Sequence, residues 1–253
     1  MTRKAIVIGA TSGIGHSIAR TYIKRGYKVG VAGRREERLE ELRNEFPEAA
    51  VVSMQIDVTT EDFTERLKQL VEKMGGADLV VYSSGYGVEN MKLDEQTSVR
   101  EINVNVTGFV KCAGFFFNYW CDNHLRGHFV VMSSVAGIRA LGVTPGYSST
   151  KHFQAFYLES LRQLAVMRGA DICFTSVKPG FVDTDFIAGC NYPLTQSKEK
   201  SVKHIIKAID ARRKNSVIYG KWKWIVLFMK CLPAPLWRLA GKFTIVRSDR
   251  PRL

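Results

Sequence analysis

The stretch GYSSTKHF, residues 146–153, sets Tyr147 and Lys151 four positions apart. On a helix that spacing puts the phenol and the ammonium on one face, a turn from each other. A free tyrosine gives up its proton only near pH 10. A cation held beside it favours the phenolate and lowers that pKa, so the pair could serve as a reversible proton donor near neutrality. An exposed helix can also carry such a pair with no chemical role. A third group gives the pair meaning: in VVMSS a hydroxyl, Ser134 or its neighbour Ser133, follows an apolar run and could stabilise an oxygen on which negative charge develops.

These groups need a frame. Short β-branched runs alternate with longer amphipathic stretches. KAIVIG (residues 4–9) precedes a helical pattern from about Ile14 to Arg25, and KVGVAG (28–33) precedes one with Leu39, Leu42 and Phe46 at helical spacing. AVVSMQI precedes a third, whose face carries Phe63, Leu67, Leu70 and Met74, and DLVVYSS, HFVVMSS and DICFTSVKPG are three further strands. Continuously apolar strands, each followed by a helix, predict an α/β fold: one doubly wound parallel sheet with helices on both faces. Residues 1–215 form this domain, and residues 216–253 hold a last strand and a C-terminal extension. In such sheets ligands bind beyond the carboxyl ends of the strands, where the strand order reverses.

After the first strand comes GATSGIG, residues 9–15. Its glycines, Gly9, Gly13 and Gly15, allow a tight turn and a close approach of backbone N–H groups. The helix beginning near Ile14 points its positive end at the same spot, together with Thr11 and Ser12. That is a cradle for a pyrophosphate. At the end of the second strand stand Gly33, Arg34 and Arg35, with no carboxylate before Glu36. A guanidinium there suits the 2′-phosphate of NADP, whereas a carboxylate would suit the ribose of NAD. The expectation is therefore NADP(H) in preference to NAD(H), with Arg34 as the first contact and Arg35 beside it; the arginines could otherwise pair with Glu37 or Glu41.

Taken together, these residues resemble the short-chain dehydrogenase/reductase family, over roughly residues 1–215. Asp57-Val58 stands where that family contacts the adenine. Tyr82-Ser83-Ser84-Gly85 replaces its Asn-Asn-Ala-Gly, and NVNVTG supplies Asn105. Ser134 lies thirteen residues before Tyr147, which favours it over Ser133. Pro179, Gly180, Val182 and Thr184 match the segment Pro-Gly-x-Val-x-Thr. The resemblance implies a Rossmann-like fold and cofactor contacts from Gly9 through Gly15, the two arginines, Asp57, Val58, Ser83, Ser84, Gly85 and Pro179 to Thr184. It also implies a catalytic set of Asn105, Ser134, Tyr147 and Lys151. In that set Lys151 holds the nicotinamide ribose, and Asn105, within its helix, holds a water that relays protons to Lys151. The chain departs from the family at Ile8, where a threonine is usual, and at Tyr82–Ser84. The implied reaction interconverts a ketone and a secondary alcohol, on an apolar or lipid-linked substrate; the alternative is a noncatalytic NADP-binding sensor or scaffold.

The net charge of +13 is unevenly placed: residues 197–253 hold 15 Lys and Arg against 3 Asp and Glu, whereas residues 1–196 hold 22 against 21. Within the basic segment, Trp222, Trp224 and Trp237 stand among lysines and arginines around the apolar run Ile225–Met229, and Pro233 and Pro235 interrupt any single helix. The run is too short to span a bilayer. It suits a helix lying on an anionic membrane surface, through residues 221–245; a cover over the substrate and a subunit contact are the other readings. No nucleic-acid motif accompanies the charge. The aromatic stretch GFFFNYWC (114–121) reads as helical core, with a homodimer or homotetramer contact as a further role. Five unpatterned cysteines point to a reducing, cytoplasmic setting without disulfides or a metal, and His16, His128 and His204 read as filler. Cys190, Tyr192 and Pro193, in the segment 186–197, would border the substrate.

Overall fold

The computed structural model describes residues 2–189 and 192–243. Seven strands, β1 (Lys4–Ile8), β2 (Lys28–Gly33), β3 (Val51–Gln55), β4 (Leu79–Tyr82), β5 (Gly127–Met132), β6 (Ile172–Lys178) and β7 (Asn215–Val217), form one parallel sheet in the order β3-β2-β1-β4-β5-β6-β7. Its inner strands are largely apolar and buried on both faces, as a sheet sandwiched between helices requires, while the edge strands β3 and β7 are partly exposed. The 215/216 divide drawn from sequence falls within β7, which pairs with β6 from Ser176↔Asn215 to Lys178↔Val217.

Helices α1 (Gly13–Lys24), α2 (Glu36–Asn44), α3 (Phe63–Met74), α4 (Glu95–Ile102), α5 (Gly108–Asp122), α6 (Pro145–Met167) and α7 (Lys198–Asp210) cover the two faces. Leu67, Leu70 and Met74 of α3 meet Phe109, Phe116 and Trp120 of α5 in one layer. Ile18 and Tyr22 of α1 meet Ile205 and Ile209 of α7 in the other. GFFFNYWC is thus largely core: Phe116, Phe117 and Trp120 are buried, and the Trp120 indole donates to the Ala77 carbonyl at 2.7 Å. His128 is core as well, bonded to Thr175 at 2.8 Å, and burial lowers its pKa to about 4.

Between α4 and α5 the chain makes a π-helical turn, Asn103–Thr107. The sequence placed Asn105 within a helix; the widened turn is the form that placement takes, and such turns free a backbone carbonyl from the regular ladder. Proline stands at the first position of α6, where its missing N–H costs nothing. Helices α8 (Gly220–Cys231) and α9 (Ala234–Ala240) follow β7, divided at Pro233 as expected. Among the described residues no helix is long and apolar enough to cross a membrane.

Candidate active site

The chain returns from β3 to β4 on the far side of β1, so the carboxyl ends of β1 and β4 open a crevice between them. Gly9 has φ 90° and Gly13 φ 57°, conformations that L side chains rarely adopt. A Cβ on Gly9 would fall 2.6 Å from Ser84 N, one on Gly15 2.2 Å from the Gly9 carbonyl oxygen, and one on Gly33 2.6 Å from Thr11 Cγ2. Only glycines let the turn close this tightly. The first turn of α1 contains no acidic residue, and Ser12 at its N-cap makes no side-chain capping bond. The positive end of the helix is therefore free to meet an anion.

Arg35, rather than Arg34, folds over this turn: its Nη2 donates to Ser12 Oγ at 2.7 Å and to Thr11 Oγ1 at 2.9 Å. The Arg34 carbonyl accepts from Gln55 Nε2 at 2.9 Å. Asp57 turns its carboxylate onto Thr59, accepting from the backbone N–H at 2.9 Å and the hydroxyl at 2.7 Å. A cleft of about 260 Å³ is lined by all the predicted residues except Gly15 and Asn105, which are buried beside it. The residues present fit a phosphate-bearing dinucleotide: an open helix start, a close-packed glycine turn and a guanidinium over two hydroxyls.

At the other end of the cleft Ser133 and Ser134 separate. The buried Ser133 hydroxyl donates to the Lys151 carbonyl at 2.8 Å, tying β5 to α6. Ser134 Oγ accepts from Ala136 N–H at 3.1 Å and faces the Tyr147 phenol, whose pKa it draws down. Lys151, 3% exposed, has its Nζ 5.7 Å from the Tyr147 ring centroid and donates to the Met132 carbonyl at 2.8 Å. The Asn105 side chain is fully engaged: Oδ1 accepts from Tyr86 N–H at 2.9 Å, and Nδ2 donates to the Tyr86 carbonyl at 2.7 Å and to Thr150 Oγ1 at 3.0 Å.

Burial pushes the Tyr147 phenol up to about 12, against the pull of the neighbouring Ser134 hydroxyl, and the carboxyl of Glu101 adds to the rise. Burial also lowers Lys151 to about 7. In the cofactor-free protein burial is thus the largest influence on both groups. Tyr147 is left a neutral phenol, the form that donates.

The sequence profile described as short chain dehydrogenase matches residues 3–193. The chain belongs to that family. An uncharacterized oxidoreductase of Myxococcus xanthus (strain DK1622) is 34% identical over 247 residues, covering 95% of this chain and 96% of the relative. Farnesol dehydrogenase of Aedes aegypti is 31% identical over 192 residues, covering 72% and 78%. Among solved structures, a variant of actinorhodin polyketide ketoreductase with NADPH superposes with a TM-score of 0.66 at 27% identity, over 73% of this chain and 72% of that one. This short-chain dehydrogenase is an oxidoreductase of the kind acting on alcohol and carbonyl groups.

Several of its residues around the cleft escaped the sequence reading. The buried Tyr82 hydroxyl donates to the Val104 carbonyl at 2.7 Å, fastening β4 to the π turn where the family's asparagine is missing. Gly87 lies against Tyr147: a Cβ there would be 2.2 Å from Tyr147 Cδ2. Glu101 is fully buried; one oxygen accepts from Val88 N–H at 3.2 Å, the other has no partner in the structure, and burial raises its pKa. Phe186 lies over Tyr147, with ring centroids 5.8 Å apart. The available signal was spacing: Glu101 is one turn before Asn105 on a shared helix face. Of the segment expected to border the substrate, Cys190 lies outside the described residues. Tyr192 stacks on Phe181 at 4.2 Å.

Proposed function

We propose that the protein is an NADP-dependent oxidoreductase interconverting a ketone and a secondary alcohol. The observation that carries this reading is the cleft in which Tyr147, beside Ser134 and backed by Lys151, faces the same space as the glycine turn. When bound, the nicotinamide supplies or accepts the hydride. Tyr147 gives its proton to the carbonyl oxygen, or takes it back from the alcohol. Ser134 hydrogen-bonds that oxygen as charge develops on it. Lys151 directs its remaining N–H toward the ribose and the phenol.

For the dinucleotide, Gly9, Gly13, Ile14 and Gly15 hold the pyrophosphate with the start of α1. Asp57 and Val58 border the adenine, Ser83, Ser84 and Gly85 the central portion, and Pro179, Gly180, Val182 and Thr184 the nicotinamide side. Arg35, with Thr11 and Ser12, grips the 2′-phosphate, and Arg34 stands beside it. The NADPH in the ketoreductase structure supports this choice. Arg35→Leu should raise KM for NADPH at least about tenfold, since a charge-assisted bond is worth roughly 1.5–3 kcal/mol, and leave KM for NADH nearly unchanged. An equal effect on both cofactors would contradict the assignment.

The substrate is apolar or lipid-linked. Phe186, Ile187 and Tyr86 line the cleft mouth, and the relative named farnesol dehydrogenase supports this choice. Helix α8 supports it too. Its inner face, Trp222 and Val226, packs on Val135 next to the site, while Trp224, Leu227 and Phe228 are exposed. Leu236 and Leu239 of α9 are exposed as well. No Asp or Glu occurs between residues 211 and 248. An anionic membrane surface fits that combination, each nearby basic residue contributing about 1 kcal/mol. Flotation with phosphatidylserine vesicles tests it: a Trp224→Asp, Phe228→Asp variant should stay behind, and wild-type protein that fails to float would rule the contact out. The exposed Phe153, Phe156, Val166 and Met167 of α6 suit a homodimer or homotetramer.

A further inference from the structure

Gln154 follows Lys151 by three positions on α6, so their side chains share a face. It is fully buried, and its amide is used at both ends: Oε1 accepts from Lys151 Nζ at 3.1 Å, and Nε2 donates to the backbone carbonyl of Asn105 at 2.8 Å. That carbonyl belongs to the π turn. We propose that Gln154 is a positioning residue that clamps Lys151 to the π turn. The proposal rests on the reading of Tyr147 and Lys151 given above.

With Met132 and Gln154 accepting, two of the three Lys151 N–H groups are fixed, and the third is left for the cleft, on the side of Gly85 and Tyr147. In reduction, the carbonyl carbon gains a hydride from the reduced nicotinamide and its oxygen gains the Tyr147 proton; the phenolate then recovers one from solvent.

The test reads Lys151 directly, without turnover. Around its ammonium, α6 itself presents Tyr147, β5 the Met132 carbonyl, the loop after β4 Gly85, and the π turn Asn105; Glu101 of α4 acts on Tyr147. In ¹³Cε-lysine-labelled protein, the Lys151 signal is identified by its loss in Lys151→Met and titrated with pH. Gln154→Met keeps the shape and removes the acceptor, and should lower the midpoint by about one pH unit. Gln154→Glu keeps an acceptor, adds a negative charge, and should raise the midpoint. A Gln154→Met protein that melts like wild type and titrates Lys151 unchanged would overturn the proposal. If that variant does not fold, an unmoved midpoint in Gln154→Glu would do the same. Failure of the Tyr147 reading would instead appear as turnover in Tyr147→Phe, with these titrations intact.

Discussion

Replacing Gly87 with alanine adds one methyl group at the point where the backbone touches the Tyr147 ring. Gly87 is not in the left-handed region, so the chain tolerates alanine there, and the ring is what the methyl strikes. The new carbon would lie 2.2 Å from Tyr147 Cδ2, while carbon atoms sit comfortably at about 3.5–4.0 Å. Ring or loop must therefore yield by more than about 1 Å, and a displacement of about 1 Å at a reacting group costs on the order of 100-fold in rate. The glycine turn and Arg35 lie at the other end of the cleft, so cofactor affinity should change little. The assay is steady-state ketone reduction followed by NADPH absorbance, with NADPH fluorescence titration and a thermal melt as controls. A folded Gly87→Ala enzyme with wild-type kcat would show that the ring's position does not govern the chemistry.

Two further outcomes concern stability. Tyr82→Phe removes a donor to the buried Val104 carbonyl and should cost about 0.5–1.5 kcal/mol in urea unfolding. The cofactor-free protein should gain stability as pH rises from about 7 toward 10. Over that range the folded state has released the Lys151 proton, while the unfolded chain holds it until about pH 10.5. Lys178, lowered to about 8, adds to the upper part of the rise, while the thiols Cys112, Cys121 and Cys173, raised by burial from their ordinary value of 9.0, oppose it from about pH 9 and Tyr147 above about pH 10. Lys151→Met should flatten most of the rise; a slope unchanged by that substitution would contradict burial of the ammonium.

The sheet was legible because its strands are apolar on both faces and each is followed by a helix, a pattern that leaves little choice of architecture. The glycine turn, Ser134, Tyr147 and Lys151 were legible because short, ordered motifs at strand ends carry them. What stayed hidden depends on contacts between distant segments. The choice between Arg34 and Arg35 turns on which guanidinium folds back to Thr11 and Ser12, some 23 residues away. Tyr82 looked like a defect in a motif, and its hydroxyl proves to be a fastening that reaches the π turn. Gln154 is an ordinary helical residue until the Asn105 carbonyl is brought to it. The depth at which Tyr147 and Lys151 lie was hidden too, because spacing reports proximity and says nothing of burial.

The central claim is that Tyr147 supplies the proton from a site that holds the dinucleotide independently of it. The most direct measurement is Tyr147→Phe, comparing NADPH binding by fluorescence with single-turnover ketone reduction. Retained binding with reduction abolished is the predicted result; near-normal reduction by the folded variant would contradict the account.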